Sequence, residues 1–201
     1  GAELPLPTQI LIGMSDFFRN NIMIIIGVFA GAALIYKLYG NTEAGRLNLA
    51  KLQLKLPVLG NIGILNAASQ FANTMTMMLQ AGLPMTKSIS ITSRVLDNYY
   101  ISQEIGKISA RLEEGHTLGH SLREANCLPA ILVDMTAVGE ESGELANTLG
   151  MTAEYYDNEL EQATAEALAK LEPAILVFLA GFAGFIVIAI YMAMFGMYAN
   201  M

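Results

Sequence analysis

His116 and His120 stand four residues apart, a spacing that on a helix brings two imidazoles to one metal, and Glu113, Glu114 and Glu124 lie close by. Gly115 and Thr117 work against a metal site, because they place His116 in a turn ahead of a helix and give the pair a solvated or capping role. Glu140, Glu141 and Glu144 form a second acidic group of a type that can collect a cation or move protons. Its spacing lacks the alternating oxygen ligands of a calcium loop. It reads instead as a helix–turn–helix: Gly139 permits close packing, Gly143 eases the turn, and Glu144 near a new helix N-terminus suits the helix dipole. Met75, Met77, Met78 and Met85 can make an adaptable binding face, but at helical spacing they read as core filling. No Ser or Thr sits in a nucleophile elbow, and no Gly-rich loop with a Lys is present to cradle phosphate. These residue types predict no enzyme, no cofactor and no metal.

The elements around them have an uneven composition. Two charge-free apolar stretches, 22–36 and 173–199, bracket a middle section, and sixteen of the eighteen acids and nine of the eleven bases lie between Gly40 and Pro173. A hydrocarbon core about 30 Å thick needs roughly 20 helical residues. The second stretch is long enough alone; the first reaches that length when Asn20, Asn21, Leu38 and Tyr39 extend it and Lys37 snorkels toward the head groups. Two buried helices of a soluble core are the bland alternative, and a chain of 201 residues offers little protein to cover so long an apolar helix on every side. Within the spans, Gly27 with Gly31, Ala180 with Gly184, and Ala189 with Ala193 make small-xxx-small pairs that let helix backbones approach, within the chain or between chains. No acid, base or His lies between Ile22 and Tyr36 or beyond Glu172, so a proton relay or ion-coupled pathway lacks its usual groups.

Basic residues set the expected orientation. Arg19 stands alone before the first span, whereas Lys37, Arg46, Lys51 and Lys55 follow it, which places the middle domain in the cytoplasm and both termini outside. The division expected is an extracytoplasmic segment 1–19, a span 20–39, a cytoplasmic domain 40–172, a span 173–199 and an extracytoplasmic tail 200–201. The N-terminus lacks the basic n-region of a secretory signal and an initiator Met, which suggests a fragment or a short variant. A net charge of −7 leaves no footprint for nucleic acid, and the single Cys127 excludes an internal disulfide.

The middle domain reads as an antiparallel bundle of about six helices. Residues 62–81 form one, with Phe71, Met75, Met78 and Leu79 on a face and Gly82 as its stop. Further helices run from Pro84 to Leu96, from Asn98 to Glu114, from Thr117 to Ala125 and from Pro129 to Glu141. A last helix begins at Ser142 or Gly143 and continues into the second span, with a kink at Pro173. For 42–56 the leucines alternate at the end, and helix and extended chain both stay open. The fold class expected is thus an all-α membrane protein, a cytoplasmic helical bundle flanked by two transmembrane helices.

Taken in order, "LPLPT" at Leu4–Thr8, "LPVLG" at Leu56–Gly60, "FANTMTMMLQAGLPM" at Phe71–Met85, "LEEGHTLGHSL" at Leu112–Leu122, "VGEESGEL" at Val138–Leu145 and "LEPAILVFLAGFAGFIVIAIY" at Leu171–Tyr191 resemble one family. It is the secretion-F domain of the inner-membrane platform proteins of type II secretion and type IV pilus assembly. The chain departs from it at Asn73, where family members resemble one another in a basic residue, and at Tyr191–Met194, where a Pro is frequent. Complete members carry two related cytoplasmic domains and three spans, so this chain resembles the C-terminal half.

The resemblance implies a non-enzymatic, homo-oligomeric platform in the cell inner membrane. Its cytoplasmic domain would couple a hexameric assembly ATPase to pilins or pseudopilins at its spans, beside other inner-membrane assembly proteins and membrane lipid. In that setting Gly139, Glu140, Glu141, Gly143 and Glu144 would serve as a structural turn or a partner contact. The rival of another class is a small oligomeric transporter or channel subunit, which polar spans would favour; these spans are apolar. A sensor would call for a signalling motif that the sequence lacks.

Overall fold

Helix stops and starts are written locally into this chain, and the computed structural model, which describes residues 6–198, shows them at work. Eight helices follow one another: α1 Leu6–Asn41, α2 Glu43–Lys55, α3 Leu59–Gln80, α4 Met85–Val95, α5 Tyr99–Glu113, α6 Leu118–Ala125, α7 Ala130–Ser142 and α8 Leu145–Tyr198. The Thr42 side chain accepts the Gly45 N–H to begin α2, Asn98 accepts those of Tyr100 and Ile101 to begin α5, and Thr117 accepts that of His120 to begin α6. Gly82 (φ +76°) and Gly115 (φ +91°) stop α3 and α5 in the left-handed conformation. At both stops the next residue donates back to the carbonyl five positions earlier, Leu83 to Met78 at 3.1 Å and His116 to Arg111 at 3.0 Å, so otherwise orphaned carbonyls are used.

The chain divides into two units, Gly40–Ala167 and a second that takes in α1 up to Tyr39 and α8 from Leu168 onward. In the first, α3 packs on α4, α4 on α5, α5 on α6 and α6 on α7, while α2 lies against α3 and α5. Phe71 and Met75 of α3, Ile89 of α4, Ile101, Ile105 and Ile108 of α5, Leu118 and Leu122 of α6, Leu132 of α7 and Leu149 of α8 form one core. Two of its buried hydroxyls return to their own helices: Thr136 donates to Leu132 O at 2.7 Å and Thr152 to Thr148 O at 2.7 Å.

The all-helical class holds among the described residues, with one addition to the bundle. Residues 43–55 are a helix, with Gly45 and Ala50 buried, so this unit holds seven helical segments where six were expected. Pro84 also stands one place outside the helix it was expected to open, as the N-cap of α4.

In the second unit α8 is, among the described residues, the one helix long and apolar enough to cross a membrane. Its most apolar window has a mean hydropathy of 2.6 and is 6% buried. Among the described residues the apolar part of α1, Phe17–Gly31, is shorter and falls short of that measure. Helix α1 itself begins well before its apolar part, at Leu6, with Pro7 in its first turn, where a missing N–H costs nothing. Pro173 lies inside α8, which continues through it for 54 residues in all. Residues 1–5 and 199–201, which include the first two positions of the Leu4–Thr8 motif and the expected tail, lie outside the described residues.

Candidate functional site

The α7–α8 turn is built by two glycines with different tasks. Gly143 sits at φ +75°, the left-handed conformation that ends α7, where a side chain would strain the backbone. Gly139 is buried at the crossing of α7 and α8; a Cβ there would stand 2.9 Å from Thr148 Cβ and 3.0 Å from Leu145 Cα. Glycine at 139 therefore sets how closely the two helices approach. Glu144 directly precedes α8, and its carbonyl accepts both the backbone N–H and the hydroxyl of Thr148, at 2.9 and 3.0 Å.

Glu140 has a partner that its sequence neighbourhood does not reveal. Its two carboxylate oxygens accept the N–H groups of Leu118 at 2.8 Å and Gly119 at 2.9 Å, the free donors of the first turn of α6. This is a charge-assisted cap from 22 and 21 residues away. It needs the start of α6 pressed onto α7, and Gly119 permits that: a Cβ there would meet Ala137 Cβ at 2.6 Å and Ala137 Cα at 2.8 Å. The two motifs Leu112–Leu122 and Val138–Leu145, separate in sequence, thus form one joint. Glu141 and Glu144 are exposed beside it.

The histidines lie where the turn reading puts them. His116 precedes α6 and His120 is in it, with the rings stacked at 5.8 Å. His120 Nε2 is 3.3 Å from Glu124, whose other oxygen pairs with Arg111 at 2.7 Å. Among the described residues no three His, Cys, Asp or Glu side chains converge as a metal site would require. Burial pushes the Cys127 thiol up to about 12, and the nearby Glu104 charge adds to it, so the thiol is protonated and unreactive at neutral pH. Burial also raises the Tyr156 phenol.

Two further carboxylates make ties that no sequence motif predicts. Asp157 of α8 accepts from Ser69 and, at 3.1 Å to each oxygen, from Asn73 of α3. Asp97, between α4 and α5, accepts from Asn66 at 3.0 Å and Gln70 at 2.7 Å. The polar stripe Asn66, Ser69, Gln70 and Asn73 at helical spacing was the available signal. In the other unit, Gly27, Gly31 and Gly184 have, among the described residues, no neighbouring atom within 4 Å of where a Cβ would stand; Ala180 is exposed and Ala189 is buried. The side chain of Ala193 lies outside the described residues.

The family model for type II secretion system (T2SS), protein F, matches residues 71–193, the stretch from the middle of α3 through the α6–α7–α8 joint into the apolar part of α8. The chain belongs to the T2SS protein F family. It is 31% identical to the type IV pilus assembly protein PilC of Pseudomonas aeruginosa, over 97% of this chain and 52% of that protein. To the PilC of Thermus thermophilus it is 29% identical, over 97% of this chain and 48% of that one. The type II secretion system protein F of Aeromonas hydrophila is 30% identical over 94% of this chain and 49% of its own length. The chain thus spans about half the length of these curated relatives. Both the Glu140 joint and the Asn73–Asp157 tie fall within the stretch matched to the T2SS protein F family.

Proposed function

We propose that this chain is a non-enzymatic platform of the inner membrane, with the unit around α3–α7 in the cytoplasm, spans at 20–39 and 173–199, and both termini on the other side. The observation that carries the reading is the family match over 71–193, which runs without a break from the helical core into an apolar, largely exposed helix. Lys37, Arg46, Lys51 and Lys55, clustered after the first apolar stretch, support the orientation. For α1, with a charge-free apolar stretch at 22–36, a span requires its flanking polar and basic groups to reach the head-group layers.

In this role the cytoplasmic unit transmits force and performs no chemistry. An assembly ATPase would act on it, and pilins or pseudopilins would be handled at the spans of a homo-oligomer. Relatives named for pilus assembly and for secretion support either setting. The deciding measurement is cysteine labelling in intact cells with a membrane-impermeant reagent. A Cys at Asn200 should react, whereas one at Glu114, 69% exposed in its side chain, should react only after permeabilisation. The reverse pattern would reject the topology. Absence of any crosslink to itself or to an ATPase in native membranes would reject the platform role.

A further inference from the structure

Val58, between α2 and α3, has φ +70° and ψ −62°, and the Leu59 N–H donates to Pro57 O at 2.9 Å across it. This is the rare γ-turn of positive φ, strained for any side chain and most of all for a β-branched one. Glycine would hold the same turn without strain. The turn is over-determined from its far side: Gly60 is buried against the end of α2, where a Cβ would stand 2.2 Å from Leu54 O. That close approach closes the corner and leaves Leu56, Val58 and Leu59 44%, 49% and 58% exposed, with Leu59 on the rim of a groove that Ile62 and Leu160 also line. A strained turn carrying three exposed aliphatic side chains is unexplained by the interior of the unit.

The corner's neighbours identify what it meets. On α2, Lys51 and Lys55 stand at i, i+4 with Leu52 beside them, all exposed, while Ala50 faces the protein. Lys51 is held over the Tyr100 ring, with Nζ 4.8 Å from its centroid. Residues 43–59 carry three bases and one acid in a chain of net charge −7, so the positive charge is gathered where the aliphatic corner is. Apolar side chains ringed by lysines fit a bilayer surface with anionic head groups. Helix α2 begins two residues after α1 ends, so the corner is tethered to the proposed first span, and a weak attraction acts at high effective concentration.

From these observations we infer that the α2–α3 corner is a second membrane contact, in which Leu56, Val58 and Leu59 enter the head-group layer of an anionic leaflet and Lys51 and Lys55 meet its phosphates. This rests on the membrane reading proposed above. The test uses the full chain, with Cys127→Ser, reconstituted in phosphatidylcholine vesicles with or without phosphatidylglycerol and carrying an environment-sensitive fluorophore at Leu59→Cys. With phosphatidylglycerol, the probe should be quenched by a lipid-attached nitroxide and shielded from aqueous iodide. A probe at Ile131→Cys on α7 should stay open to iodide. Lys51→Glu with Lys55→Glu should abolish the lipid quenching. Val58→Gly, which relaxes the turn and removes its side chain, should reduce that quenching and raise the melting temperature. The inference is overturned if Leu59→Cys stays open to iodide while a probe at Val177→Cys in α8 reports lipid. Shielding from both quenchers also overturns it, since protein would then cover the corner, as does equal lipid quenching in neutral vesicles. A Val177→Cys probe open to iodide removes the membrane reading itself.

Discussion

Glu140 and Glu141 are adjacent acids with opposite expectations. Glu140 accepts two backbone N–H groups of α6; Glu141 is exposed. Glu140→Gln offers one acceptor and turns an NH2 group toward a donor, and should cost about 1–2 kcal/mol in urea unfolding. Glu141→Gln should stay within about 0.5 kcal/mol of the parent. Equal effects at the two positions would mean that the carboxylate cap contributes nothing. Gly143→Val should cost about 1–2 kcal/mol through its φ of +75°. Cys127 has a pH signature: the unfolded thiol loses its proton near its ordinary 9.0, whereas the folded one holds it to about 12. Its contribution to stability is therefore complete below pH 9 and lost as pH rises from 9 toward 12. Cys127→Ala should remove that part of the alkaline decline in melting temperature, and alkylation of the native thiol at mildly alkaline pH should be much slower than that of the unfolded one.

Between elements, Asp157 ties α8 to α3 through Ser69 and Asn73, over separations of 88 and 84 residues. Asp157→Ala removes the shared acceptor, with Asn73 keeping its contact to Ser69 at 3.4 Å and water reaching the exposed side, and should cost about 0.5–1.5 kcal/mol. Asn73→Arg puts the basic residue that family members resemble one another in carrying beside the same carboxylate, and should be tolerated with no loss of melting temperature. A loss as large as that of Asp157→Ala would show that the amide's shape, and not its donation to Asp157, is what the site requires. Element ends are legible where their causes are local: Asn98 and Thr117 cap within three residues, and Gly82 and Gly115 stop helices by their own φ, whereas Ser142 and Gly143, expected to begin the last helix, instead end α7, and α8 starts at Leu145. Helix α2 is not legible, since its leucines fit two periods and its packing on α3 and α5 decides. Glu140 was recognised as part of a turn, but its partners lie on another helix, and no local pattern points to them. Asp97 and Asp157 likewise bond to residues 27 to 88 positions away, beyond the reach of a local pattern.

For the molecule as a whole, the open space around Gly27 and Gly31 matters most. With no atom of the described residues within 4 Å of either would-be Cβ, those residues leave room for a side chain at both positions. Gly27→Leu and Gly31→Leu should therefore leave abundance and folding of the single chain unchanged and, in the proposed platform role, reduce self-crosslinking and filament assembly only where a second molecule seats on that face. Unchanged crosslinking and assembly would assign the face to lipid.

One helix, α8, contributes Leu149 to the core of one unit and continues as the apolar stretch of the other. Birth order on the ribosome follows from that. Helices α2–α7 emerge first but lack Leu149, Tyr156 and Asp157 until α8 begins to appear, and Pro173 emerges later still. At about 5–20 residues per second the interval from Asp157 to Pro173 is roughly 1–3 s, long against the microseconds to milliseconds in which a small helical bundle closes. The bundle can thus lock its final helix before the apolar stretch is released. A nascent chain stalled with Leu160 as the last residue outside the ribosome should resist protease, whereas one stalled with Leu145 in that place should be digested.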